Sequence, residues 1–181
     1  MKVLEGLESS LNDVFGKSAP GLPKGFKEFL VKIVPWLALL GGIFGLWSAW
    51  AIYRWVNTSN GLADYANELS RAFGGTDVVN YSWSLGLYIA VAVLVVTAVL
   101  YVMAFSPLQK FQKKGWDYLF YALILNLVYG VVVAFTAFGT FGNLFGALIG
   151  SAIGAYFLFQ IRDYYTGKAK VAAASSEKKT E

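Results

Sequence analysis

The sequence predicts an all-α polytopic membrane protein: a four-transmembrane-helix bundle with an N-terminal interfacial helix and a short amphipathic helix in its outer loop. Three observations predict this class. The chain is 57% hydrophobic with only 14% charged residues, against roughly 25% charged in soluble domains. Four long apolar stretches contain no Asp, Glu, Lys or Arg, and every lysine lies in one of three segments between or beyond them. The expected division is an amphipathic interfacial helix over 1–17, a hinge and pre-membrane segment over 18–32, the bundle over 33–162, and a flexible cytoplasmic tail over 163–181.

In the first segment, KVLEGLESSLNDVFG, the apolar residues Val3, Leu7, Leu11 and Val14 form one helical stripe. The stripe suits either a helix lying on the inner leaflet or one folded against the bundle's own loops. SAPGLPKG then reads as a hinge, through Pro20, Gly21, Pro23 and Gly25. FKEFLVKIV is expected to skim the interface until Pro35 marks the first turn of the first span, or a kink in it.

The four spans are read as 33–53, 84–105, 118–138 and 144–161, each near the 17–25 or so helical residues that cross a hydrocarbon core about 30 Å thick. The valine-rich run LYIAVAVLVVTAVLYVMAF is too long for a strand and does not alternate, so it is read as helix. Between the first two spans, GLADYANELSRAF gives a short helix with Leu62, Tyr65, Leu69 and Phe73 on one face. Asn60 is its expected cap and Gly74-Gly75 its expected end. It is expected to lie over the bundle's outer surface. GTFGN, between the third and fourth spans, forces an antiparallel hairpin. The final GKAKVAAASSEKKTE has too little apolar surface to fold.

Orientation follows from the basic residues, because cytoplasmic segments accumulate them. Lys2, Lys17, Lys24, Lys27 and Lys32 precede the first span, Lys110, Lys113 and Lys114 lie between the second and third, and Lys168, Lys170, Lys178 and Lys179 follow the fourth. Four crossings put all of these on one side with Arg162, and leave Arg54 and Arg71 opposite. Both termini are therefore expected to be cytoplasmic, at the bacterial cytoplasmic membrane, with the lysines facing anionic headgroups. That placement accounts for the net charge of +4 without nucleic acid. Trp36, Trp116, Tyr121, Tyr164 and Tyr165 fall at the inner boundary; Trp50, Tyr53, Trp55, Tyr81 and Trp83 fall at the outer one. Trp47, too deep for either belt, is expected to pack inside.

The sequence GNLFGALIGSAIG sets Gly142, Gly146, Gly150 and Gly154 at every fourth position. In water each interior glycine costs a helix about 0.8–1 kcal/mol. In lipid, small residues instead let backbones approach. The first span carries Gly41, Gly45 and Ala49 at the same spacing, so these two helices are expected to pack together. A symmetric contact between copies is the alternative use of the ladder.

Helix rise places Thr97, Asn126 and Ser151 at nearly one depth, a candidate midplane polar layer. An asparagine amide facing lipid is costly, so Asn126 is expected to turn inward onto Thr97.

The chain has no Cys and no His, which removes the commonest thiol nucleophile, general base and transition-metal ligand together. No enzymatic activity, cofactor or metal is expected. FLFQIRDYY and LEGLESSLNDVF resemble segments of small four-helix bacterial integral membrane proteins; the resemblance implies the fold alone. The expected role is structural, scaffolding or accessory, with a homo-oligomer or another membrane protein as partner. The alternative is an oligomeric channel or a small-solute or anion transporter using the polar layer.

Overall fold

The computed structural model describes residues 2–76, 84–134 and 141–167, and all regular structure among them is helical. Helix α1 (Lys2–Leu11) runs into a π-helical segment, Asn12–Ser18, and the chain then extends over residues 19–23. Four long helices follow: α2 (Lys24–Ala72), α3 (Ser84–Gln109), α4 (Lys113–Ala134) and α5 (Phe141–Gln160); α6 (Arg162–Tyr165) is one short turn. Helices α2, α3 and α4 are long and apolar enough to cross a membrane. Helix α5 is apolar over the shorter stretch Leu144–Gln160. The connection at 135–140, Tyr81, Trp83 and the tail from 168 onward, with its four lysines, lie outside the described residues.

The largest departure from expectation is α2. The expected pre-membrane segment, first span and outer-loop helix are one continuous helix of 49 residues that passes through Pro35. The separate amphipathic helix is therefore corrected to the far half of α2. Between Tyr53 and Ala72 there is no proline, and the single Gly61 costs only about 1 kcal/mol, which the strong helix formers just after it, Leu62, Ala63, Ala66, Glu68 and Leu69, offset. Asn60 sits inside the helix and caps nothing. Termination comes at Gly74, whose φ of +77° is open to glycine without strain. Gly75 N–H then closes onto Ser70 O at 2.8 Å.

The long helices pack in chain order, α2 on α3, α3 on α4 and α4 on α5, while α2 and α5 approach each other only weakly. Small residues make the first of these contacts close. A Cβ on Gly42 would stand 2.6 Å from Val102 Cγ2 and 2.9 Å from Ala98 O, and one on Gly45 would stand 2.9 Å from Ala98 Cβ. Gly130 of α4 is filled in the same way by Ala147 Cβ of α5, at 2.5 Å. The expected pairing of Gly41, Gly45 and Ala49 with the α5 glycines is therefore corrected: Gly41 and Gly45 serve α3, whose Ala98 is small enough to let the backbones meet, and Ala49 is buried.

The core gathers at one end of the bundle, where α1, the α3–α4 turn and α6 converge. Trp116 and Ala104 are fully buried there, with Leu108, Phe120, Phe159 and Ile161 around them. Trp116, expected in an aromatic belt, is instead a core residue. Its ring stacks on Phe120 at 5.4 Å and meets Phe159 edge-on at 5.2 Å. Trp47 departs the other way: it is 63% exposed on the outside of α2, with Phe44 as its ring neighbour at 6.5 Å. Position 47 falls on the face of α2 turned away from α3, and depth along the axis carried no information about that. Asp117 lies inside α4, in its second turn, and accepts from Lys113 Nζ at 2.7 Å.

The N-terminal arm is fastened to this end of the bundle. Leu11 and Phe15 pack against the core cluster. Gln160, 4% exposed, donates from Nε2 to Phe15 O at 2.9 Å, and its Oε1 accepts from Leu22 N–H at 3.2 Å. Tyr156 OH donates to Pro20 O at 2.7 Å. Glu8 receives Arg162, through Nε at 3.0 Å and through the terminal nitrogen, and Lys113 Nζ at 3.3 Å. Arg162 also lies over the Trp116 ring, 5.5 Å from its centre. The arm is thus held by hydrogen bonds from a buried amide and by an ion-pair cluster shielded from water on one side.

Tyr165 is 3% exposed, and its hydroxyl has no hydrogen-bond partner among the described residues. Burial pushes its phenol well above the ordinary range, so it stays protonated. An unmade buried hydrogen bond carries a desolvation penalty of about 1–3 kcal/mol. Tyr165→Phe is therefore expected to raise stability by about 1 kcal/mol or more, read as a higher midpoint of thermal unfolding in detergent.

Candidate functional site: a polar-lined cavity in an open seam

Because α2 and α5 do not close on each other, the bundle keeps an open cavity of about 500 Å³ with walls from all four long helices. Leu30 and Val34 of α2 and Ile161, between α5 and α6, line its end nearest the arm; Leu94 of α3 and Gly150 of α5 line it further along. Thr97, Asn126 and Ser151 all line this one cavity. They come from α3, α4 and α5.

Asn126 donates from Nδ2 to Thr97 Oγ1 at 3.2 Å and to Ala122 O at 2.7 Å. Ala122 is one turn earlier on the same helix, so its carbonyl anchors the amide and fixes which way it points. Thr97 is buried, whereas Asn126 is exposed, on the cavity side. Among the described residues Asn126 Oδ1 accepts no hydrogen bond. An accessible, unpaired amide oxygen is the strongest polar feature of the cavity. Among the described residues no ionisable acid or base joins it there apart from the phenol of Tyr101.

Sequence reasoning missed Tyr101. It stands four residues after Thr97 in TAVLY, one helical turn along the same face. That spacing was the available signal.

The glycine ladder divides. Gly154 faces α4, where a Cβ would lie 3.1 Å from Leu123 Cδ1. A Cβ on Gly146 or Gly150 would meet nothing within 4 Å. Gly142 is the second residue of α5. Gly150 and Gly154 both line the cavity, so the ladder forms part of its wall. Gly41 lies 3.5 Å from the Tyr101 ring by the same measure, and Ala49 is 2% exposed.

Chemically the site holds hydrogen-bonding groups without charge in a mostly apolar setting. It offers an amide carbonyl, two aliphatic hydroxyls and a phenol. Among the described residues no three Asp or Glu come together as a metal site would need. Comparison with protein-family models, with curated proteins and with solved structures finds no match to this chain.

Proposed function

We propose that this chain is a four-span integral membrane protein of structural, scaffolding or accessory type, whose activity is contact with another transmembrane segment along α5. In this reading α5 crosses with α2, α3 and α4, and the arm, the α3–α4 turn and Arg162 face the cytoplasm of a bacterial cell. The meeting of Glu8 with Lys113 and Arg162 at one end of the bundle supports placing those segments on one side.

The observation that carries the reading is the contrast between glycines. Those at 42, 45 and 130 are filled by neighbouring helices of their own chain, while Gly146 and Gly150 are open. In lipid a bare backbone face gains by close packing against another helix, and here the seam beside α2 leaves room for one. A helix seated there would also cover the amide oxygen of Asn126.

The test uses affinity purification from native membranes. Because the added side chains meet open space, Gly146→Leu and Gly150→Leu are expected to leave helical content and melting unchanged while removing co-purifying membrane proteins, or self-association. If both variants retain the same companions as the natural chain, the contact role fails.

A second reading, an oligomeric channel or a small-solute or anion transporter, is favoured by one observation: the three polar residues share a cavity. The absence of charge from that layer favours an uncharged solute over an anion. Solute flux in liposomes, lost in Asn126→Leu, would establish it over the contact role.

A further inference from the structure

We propose that the far half of α2 is a dimer interface, along which two copies of this chain stand parallel and pair through a row of residues spaced like a coiled-coil seam. The proposal is independent of the open seam at α5. It requires only that α2 crosses the membrane.

Helix length is the first argument. Forty-nine residues at about 1.5 Å each extend about 73 Å, while a hydrocarbon core takes about 20 residues. The apolar part of α2 ends near Tyr53, and Arg54, Asp64, Glu68 and Arg71 follow. Some 18 residues, about 27 Å of helix, therefore stand clear of the acyl chains. With no proline after Pro35 to bend it away, this half projects into water, where lipid does not cover it.

The pattern of burial is the second. On one face of this half Val56 is 2% exposed and Asn67 is fully buried. The opposite face is open: Leu62 is 68% exposed, Tyr65 67% and Leu69 48%, and Thr58 and Ala72 are exposed beside them. Positions 51, 58, 65 and 72 recur every seven residues, with 62 and 69 falling between them. This alternating spacing of three and four is the a/d repeat of paired helices. No Asp, Glu, Lys or Arg occupies the row. An apolar stripe of this kind in water is stable only against another surface.

The membrane selects the occupant. It holds every copy in the same direction and at the same depth, so identical rows on two α2 helices face each other already parallel and in register. Each position then meets its own counterpart, the self-complementary geometry of a two-fold contact. A helix from any other chain would need both the same seven-residue spacing and the same height above the bilayer.

The chain has no cysteine, which makes the test direct. Single variants Leu62→Cys, Tyr65→Cys, Leu69→Cys and the off-row control Asp64→Cys are made in the full chain, reconstituted in lipid nanodiscs or vesicles, and oxidised. Coexpression of two tag sizes distinguishes self-pairing from capture of another protein. Covalent dimers carrying both tags are expected at 62, 65 and 69 at ten times or more the yield at 64. As a second measurement, Leu62→Lys/Leu69→Lys is expected to halve the protein mass per detergent particle, read by light scattering with the detergent contribution subtracted, without changing helical content. Equal crosslinking at all four positions, a monomeric natural chain in lipid, or adducts only with other proteins would overturn the proposal.

Discussion

Trp116→Ala is expected to destabilise the folded bundle by about 3–5 kcal/mol, the range for removing a large buried aromatic. Its consequences follow from what the indole touches. The side chain is fully buried, stacked on Phe120 and edge-on to Phe159, with Arg162 over its face. Its Nε1 donates to Leu158 O at 2.8 Å. That carbonyl belongs to the last turn of α5, where backbone acceptors have no partner within the helix. One residue therefore fills the core, finishes α5 and supports the cation that holds Glu8 of the arm. Thermal unfolding in detergent, followed by loss of helical circular dichroism, measures the cost. Trp116→Phe separates the contributions: it keeps most of the packing and loses the indole hydrogen bond, for an expected cost of about 1–3 kcal/mol. An alanine variant as stable as the natural chain would contradict the assignment of Trp116 to the core.

Gly115→Val is the second large effect, through overpacking rather than a void. Gly115 sits in the first turn of α4, directly against the end of α3. A Cβ there would stand 2.6 Å from Leu108 N and 2.9 Å from both Leu108 Cγ and the Pro107 carbonyl carbon. Two of these three atoms are backbone, so the α3–α4 turn must open to admit it. That turn is already tightly set: Gln112 N–H bonds Pro107 O at 2.9 Å, and Phe111 sits at φ 52°. A loss of about 3 kcal/mol is expected for valine, the upper part of the usual overpacking range. Gly146→Ala provides the opposing case. Its Cβ meets nothing within 4 Å, and helix propensity favours alanine by about 0.8–1 kcal/mol. A melting point lowered by the first change and held or raised by the second is the expected pair of results.

The features legible in the sequence are those that depend on composition along the axis. Apolar stretches free of charge gave the long helices, and equal counting distances brought Thr97, Asn126 and Ser151 to one cavity. The features that were not legible depend on direction around the axis. Trp47 and Trp116 are both tryptophans, yet one faces outward and the other is fully enclosed; residue type and depth are silent on rotation. The glycine rows have the same ambiguity. Spacing marked Gly41, Gly45 and Gly146 alike, yet Gly45 meets Ala98 of α3 and Gly146 meets nothing within 4 Å; which helix lies against which follows from chain-order packing and from the small Ala98 on α3. The arm depended on distant partners, Gln160 and Arg162, that no local pattern connects to Glu8. The fused α2 was missed for an energetic reason: Asn60-Gly61 resembles a boundary, but a boundary forms only when the alternative to helix is better, and nothing nearby supplies one.

The 49-residue α2 also has a mechanical consequence. Helix α3 braces this rod from Trp36, whose ring meets Phe105, to Asn57, which accepts from Tyr88 OH. A bend of about 10° at the end of that brace swings Ala72, about 22 Å further along the axis, sideways by about 4 Å. A small angular change at the Asn57–Tyr88 contact is thereby magnified at the tip of α2.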